Sequence, residues 1–109
     1  MTVEERLAGL NLALPEPPKP VGNYLPAARV GNLVFTSGQT ARINGVRRYM
    51  GTVGKEVTPE EAYLSARDAA LNCLACVKQA VGSLDRVKRV VNGASDLLER
   101  LFGEAGRHA

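Results

Sequence analysis

The sequence has 109 residues, of which 45% are hydrophobic and 23% charged, and its formal net charge is +3. A chain of this size forms one domain with a modest core, and this composition is that of a globular protein rather than a disordered one. No apolar run approaches the ~20 residues of a membrane-spanning helix. The acidic N-terminus does not have the basic patch of a signal peptide, so we expect a cytosolic protein.

Basic residues cluster at two places and raise the question of a polyanion partner. The clusters are Arg42, Arg47 and Arg48 in one group and Arg86, Lys88 and Arg89 in the other. Nucleic-acid surfaces interleave such residues with stacking aromatics. Aromatics make up only 5% of this chain and tryptophan is absent. We interpret both groups as solvated surface and expect no nucleic-acid partner, with a polyanion site as the alternative.

The N-terminal segment combines a short helix with a proline run. Thr2 and Glu5 have the spacing of a capping box and predict a helix over residues 3–10. Four prolines within residues 15–20 favour an extended polyproline conformation. We expect residues 1–20 to act as a clip against the outside of the assembly. The clip would cover the leucines of this segment, Leu7, Leu10, Leu12 and Leu14.

Two turn dipeptides organise the next part of the chain as a β-meander. Gly31–Asn32 and Asn44–Gly45 are typical of tight hairpin turns. The predicted strands around them are Ala28–Val30, Leu33–Thr36, Thr40–Ile43 and Val46–Met50.

Residues 58–82 form the longest predicted helix. Thr58 is the predicted N-cap, Pro59 suits the first helical position, Glu61 completes a capping box, and Gly82 ends the helix. Small residues recur along it at helical spacing and predict a narrow face that lies close against the sheet. This face consists of Ala62, Ala66, Ala69, Ala70, Cys73, Val77 and Val81.

Cys73 and Cys76 form a C-x-x-C about four turns into this helix. A redox C-x-x-C places its first sulfur at a helix N-terminus, where the thiolate is stabilised. Only one histidine, His108, is available to complete a zinc site. We therefore predict two unlinked thiols and no metal.

The rest of the chain adds one strand and one helix. Leu84–Val91 is predicted as a strand, and residues 94–102 as a second helix that buries Leu97, Leu98 and Leu101. The resulting order, β-β-β-α-β-α, predicts an α+β fold with both helices on one sheet face. Because the chain ends on a helix, the predicted sheet is short and has an uncovered edge.

Three segments together resemble the Rid family, also known as the YjgF/YER057c/UK114 family and formerly labelled L-PSP endoribonuclease. They are Gly22–Tyr24, Gly31–Gln39 and the helix start Thr58–Ala62, and the resemblance runs from about Val21 to Val90. The segment from Val91 to the end is similar to the second helix of an N-terminally extended branch. The resemblance implies a chorismate-mutase-like fold over residues 21–109 and a homotrimer with clefts between its subunits.

The resemblance also implies an activity, the hydrolysis of reactive 2-imino acids and their enamine tautomers to 2-keto acids and ammonia. It needs no cofactor, and small carboxylate metabolites would be its substrates. By motif position, Tyr24 would line the cleft, and Ser37 and Gly38 would lie at its floor. Simpler interpretations stay open, because Tyr24 can serve an interface alone and Gly38 can be a bulge glycine. Ser37 has no histidine partner in view, which argues against a catalytic triad.

Two departures from the family pattern concern the site. The family has roughly twenty further residues, including a cleft asparagine, where this chain passes from Val90–Val91 to Asn92. Its carboxylate-binding arginine belongs to a final strand that would follow Ala109, so no catalytic residue is assigned here. Arg107 precedes that position and does not take the role. We expect a longer natural chain, with a truncated form or a paralogue that has lost the site as the alternatives.

Two other functions compete with imine hydrolysis. One is a non-catalytic trimer that binds small metabolites or a regulatory partner in the same clefts. The other is RNA cleavage or translation inhibition, as the older family label implies, which the basic groups support weakly.

Overall fold

A computed structural model describes residues 2–17, 27–44, 46–47, 49–90 and 101–102. In chain order the elements are α1 (Val3–Gly9), β1 (Ala27–Val30), β2 (Leu33–Thr36), β3 (Arg42–Ile43), β4 (Val46–Arg47), α2 (Pro59–Val81) and a 3-10 helix (Leu84–Arg86). The α+β class predicted from the sequence is confirmed. Among the described residues, none of the helices is both long and apolar enough to cross a membrane.

Both predicted hairpins form, but as two separate sheets rather than one meander. β1 and β2 pair in antiparallel register from Ala27↔Thr36 to Val30↔Leu33, and β3 pairs with β4. Gly31 has a φ of +59°, the positive value that a type II′ hairpin turn needs at its first central residue. Residues 37–40 do not continue β2, so the predicted strand at Thr40–Ile43 is reduced to Arg42–Ile43.

Helix α2 begins and ends where its capping residues predict. The Thr58 side chain accepts a hydrogen bond from the Glu61 amide at 3.1 Å, and Glu61 Oε1 accepts one from the Thr58 amide at 3.1 Å. At the other end, the Gly82 amide donates to the Lys78 carbonyl. The capping box and the glycine end predicted for residues 58–82 are therefore confirmed.

The buried face of α2 differs from the small-residue face predicted for it. Ala70 is buried, but Ala66 is exposed, and the large side chains of Leu71 and Leu74 provide most of the packing. The buried set also includes two polar residues. The face lies against both hairpins, α1 and the 3-10 helix, so it is wider than one small-residue stripe.

Helix α1 packs into the core of its own chain. The Thr2 side chain caps it by accepting from the Glu5 amide at 3.0 Å. Leu7 is buried in a cluster with leucines of α2, the 3-10 helix and Leu101. The Val3 amide donates to Asp85 Oδ1 at 2.8 Å, which joins α1 to the 3-10 helix. Contact of residues 1–20 with another subunit stays a prediction.

The strand predicted at Leu84–Val91 is wrong for its described part. Leu84–Arg86 forms a 3-10 helix, and residues 87–90 belong to no strand. The Ser83 side chain accepts from the Asp85 amide, and the Val87 amide donates to the Leu84 carbonyl. These local bonds replace the pairing that a strand needs, and no described strand lies beside residues 87–90 to supply it. Most of the helix predicted at 94–102 falls outside the described residues, but Leu101 and Phe102 are helical and Leu101 is buried.

Candidate functional site

Ser37 and Gly38 begin the segment that connects the two hairpins. The Ser37 hydroxyl accepts a hydrogen bond from Gln39 Nε2 at 3.0 Å, and the same nitrogen lies 3.5 Å from the Ser37 carbonyl. An amide therefore orients this hydroxyl, and it receives no activation from this contact because an amide is not a base. The contact with Gln39 therefore fixes the position of the Ser37 side chain.

Gly38 is open on the side where a side chain would project. A Cβ built at this position meets no heavy atom of the described residues within 4 Å, and the φ of Gly38 lies outside the left-handed region. Because β2 ends at Thr36, Gly38 does not lie in a strand bulge. Neither backbone conformation nor packing against the described residues requires glycine here. The open side is available to a small ligand or to a neighbouring subunit.

Tyr24, the third predicted site residue, lies outside the described residues. Its place in the cleft beside Ser37 and Gly38 therefore stays a prediction.

Asn72 on α2 holds the far end of the same segment, and it is not among the site residues predicted from the sequence. Its side chain is 1% exposed, and Nδ2 donates to the carbonyls of Thr40 at 2.9 Å and Arg42 at 2.7 Å. The signal that was present in the sequence is a polar residue between Leu71 and Leu74, in phase with the buried helical face. A buried amide in that position needs partners, and the nearby loop provides them.

The two cysteines are free thiols that lie along the middle of α2. Cys73 Sγ accepts from the Thr36 hydroxyl at 3.8 Å. Burial raises the pKa of the Cys73 thiol, and the Thr36 hydrogen bond opposes this only in part. Burial and the neighbouring Cys73 raise the pKa of Cys76. Raised pKa values make both thiols poor nucleophiles at neutral pH. No group of residues able to hold a metal ion occurs in the described part of the chain.

The basic residues have mainly local roles where the structure describes them. Arg86 donates to the Val81 carbonyl at 2.8 Å, and so caps the C-terminal end of α2. Arg42 stands opposite Arg47 in the β3–β4 register. Lys88 and Arg89 are exposed, as expected of solvated surface.

The first hairpin has an apolar outer face. Val30 and Leu33 are cross-strand partners, and both are exposed, as is Phe35. On the opposite face, Val34 and Thr36 are half-buried, and Thr36 contacts α2 through Cys73. A cluster of three large apolar side chains on one sheet face is a feature of interaction surfaces.

The capped helix and its two hairpins define an α+β domain of the chorismate-mutase-like class. A family model described as YjgF/chorismate mutase-like, putative endoribonuclease, matches residues 4–92. The chain belongs to this family. The match begins well before Val21, so it includes most of the N-terminal segment.

Three similar proteins accompany this assignment. Protein TCP17 of Trypanosoma cruzi is 34% identical over 127 residues, covering 98% of this chain and 79% of the relative. A structure described as a putative endoribonuclease from Shewanella oneidensis has a TM-score of 0.89 and 39% identity, covering 100% of this chain and 85% of the other. The protein Atu1372 of Agrobacterium tumefaciens, described as of unknown function, has a TM-score of 0.80 and 31% identity, with coverages of 99% and 78%.

Proposed function

We propose that the protein hydrolyses small 2-imino acids and their enamine tautomers to 2-keto acids and ammonia, in clefts between the subunits of a homotrimer. The observation that carries the proposal is the open glycine next to an ordered serine. Gly38 has free space where a Cβ would lie, although none of the described residues requires glycine there. Membership of the family supports the same assignment.

The reaction adds one water across the C=N bond. The water oxygen bonds to the imine carbon, protons pass to the nitrogen, and the C–N bond then breaks to release ammonia. In this proposal Ser37 and Gly38 form the cleft floor, so that the substrate approaches the backbone closely. Tyr24 lines the cleft. The arginine that the resemblance places after Ala109 holds the carboxylate as a bidentate partner, and so aligns the imine with the water.

The trimer in this proposal is supported by the outer face of the first hairpin. Val30, Leu33 and Phe35 are all exposed in the single chain. Burying them against another subunit removes apolar surface from water, which favours association by roughly 25 cal/mol per Å². Sedimentation tests this part directly, since a stable monomer at micromolar concentration contradicts it.

The activity is tested with an imine generated in situ by an amino-acid oxidase, in the presence of semicarbazide. Semicarbazide competes with water for the imine, so a hydrolase lowers the yield of semicarbazone and raises that of free keto acid. We expect the full-length natural protein to do so and Gly38→Val to lose on the order of tenfold to a hundredfold of the activity, because the valine fills the cleft floor.

Gly9→Val is the matched control for Gly38→Val. Gly9 also has nothing within 4 Å of a built Cβ and no positive φ, but it ends α1 rather than the candidate cleft. It should retain wild-type activity. If the wild-type protein does not lower semicarbazone with several imines, imine hydrolysis is wrong and metabolite binding replaces it.

A second candidate is RNA cleavage, favoured by the description of the matching family as a putative endoribonuclease. It predicts RNA binding that weakens steeply with added salt, because phosphate contacts release counterions. It also predicts that Arg42→Gln reduces cleavage of single-stranded RNA, since Arg42 is exposed beside the candidate site. Purified protein that leaves RNA intact at low salt contradicts this candidate.

A further inference from the structure

We propose that Asn72 is a positioning residue of the candidate site, whose side-chain amide fixes the segment that carries Ser37 and Gly38. This inference rests on the proposed function and adds to it a residue that touches no substrate. It starts from two hydrogen bonds that join residues about thirty positions apart in sequence, Asn72 to Thr40 and Asn72 to Arg42.

The two bonds hold the turn at residues 40–42 against α2. Asn72 Nδ2 lies 2.9 Å from the Thr40 carbonyl and 2.7 Å from the Arg42 carbonyl, and the Arg42 amide donates to the Thr40 carbonyl at 2.8 Å. Ala41, between them, is buried. The backbone at residues 40–42 is thus held against α2 by both protons of one amide nitrogen.

The opposite end of the segment is held by the next residue of α2. Thr36 donates to Cys73 Sγ at 3.8 Å, and Asn72 precedes Cys73 in the helix. Sulfur is a weak acceptor, so the Asn72 bonds are the stronger of the two attachments. Ser37 and Gly38 lie between these attachments, and the Gln39 side chain connects back to Ser37. Loss of the Asn72 hydrogen bonds should therefore alter the positions of Ser37 and Gly38, which are only a few residues from Thr40.

The residue type supports this role over packing alone. Asn72 Oδ1 is buried and has no hydrogen-bond partner in the described part of the chain. A buried acceptor without a partner is destabilising, and leucine would continue the apolar face of α2 at no such cost. The chain nevertheless has a side chain with two N–H donors at this point. A leucine at residue 72 would leave the Thr40 and Arg42 carbonyls without those donors.

The test compares Asn72→Leu with Leu74→Ala, both in the full-length protein. Leu74 lies on the same helix and belongs to the core cluster that includes Leu7, of which residues 37–42 are not members, so its replacement destabilises the core around α1. At a temperature at which both variants are folded, we expect Asn72→Leu to lower kcat by about tenfold to a hundredfold and to change KM much less. Leu74→Ala should keep the wild-type kcat. Asn72→Ala, which removes the donors without adding bulk, is used if Asn72→Leu does not fold.

A second measurement separates failure of this inference from failure of the proposed function. Amide hydrogen exchange at residues 38–42 requires no substrate, and it should be at least about tenfold faster in Asn72→Leu than in the wild type or Leu74→Ala. If the wild type is inactive towards imines but exchange changes in this way, Asn72 does hold residues 38–42 in place, and imine hydrolysis is the part of the proposal that is wrong. Unchanged exchange, an unchanged kcat in an active protein, or an equal loss of kcat in Leu74→Ala overturns the positioning role.

Discussion

Replacing Leu7 by alanine tests whether the N-terminal helix is part of the core. Leu7 is 1% exposed and belongs to the same cluster as Leu71, Leu74 and Leu84. Replacing a buried leucine by alanine lowers the free energy of unfolding by about 2 to 5 kcal/mol, and the loss is larger where the neighbours cannot close the cavity. Here the neighbours come from α2 and the 3-10 helix, which are fixed at other points, so we expect the upper half of that range.

The melting temperature is the simplest measure of this loss. For a domain of this size, 1 kcal/mol lowers it by about 4 °C, so Leu7→Ala should lower it by roughly 14 to 20 °C. Leu10→Ala is the control, because Leu10 follows the same helix but is 36% exposed. The control should lose less than about 1 kcal/mol. Equal effects of the two changes, or an unchanged melting temperature for Leu7→Ala, would refute the packing of α1 on this core.

Two further predictions concern the thiols and a loop. Burial raises the pKa values of Cys73 and Cys76 above their ordinary value of 9.0. Their neutral forms therefore stabilise the folded state below that pH, and this stability is lost as the pH rises above it. In urea unfolding, the free energy of unfolding should fall more between about pH 8 and pH 10 in the wild type than in the variant with both cysteines changed to alanine. An equal fall in the two proteins contradicts the raised pKa values. Gly51→Ala should cost about 1 to 3 kcal/mol, because the φ of Gly51 is +121° and a Cβ there lies 2.5 Å from Glu56 Cβ. Gly54→Ala, with positive φ but open space, should cost less, and the reverse order would contradict the clash.

The elements that the sequence predicted well are those specified by neighbouring residues. Thr58 and Glu61 define the start of α2 through side-chain bonds to amides three residues away. Gly31 specifies the first hairpin turn because few other residues adopt its backbone conformation readily. Such signals require no knowledge of the rest of the fold, so the helix and turn positions followed from the sequence almost to the residue.

The elements that the sequence predicted poorly depend on partners distant in the chain. The apolar residues Val87 and Val90 suited a strand, but a strand also requires a neighbour, and Ser83 and Asp85 form a local 3-10 turn instead. The continuous meander was wrong because Asn72, far along the chain, holds the backbone after β2 against the helix. No pattern within residues 37–42 indicates that contact.

A difference in length between this chain and Protein TCP17 also bears on the sheet. Since 98% of 109 residues is 107, 20 of the 127 positions aligned with Protein TCP17 have no counterpart here. This is the size of the segment expected between Val90 and Asn92, although its position stays a prediction. A strand in such a segment would pair with residues 87–90, and those residues would then have the neighbour that a strand requires.

The two most informative residues of the candidate site are those whose residue types are not explained by caps or apolar spacing. Gly38 has neither a positive φ nor a close neighbour among the described residues, so alanine would fit beside them and would reduce the entropy of the unfolded chain. Asn72 has a buried oxygen without a described partner, in a helical face whose other buried members are mainly apolar. The rest of α2 follows local rules for caps and apolar spacing. Departures from local rules are expected at functional sites, because function adds a requirement that folding alone does not. Both residues act on one short segment, and one keeps it open while the other holds it in place. That coincidence supports a binding site at residues 37–42 more strongly than either residue would alone.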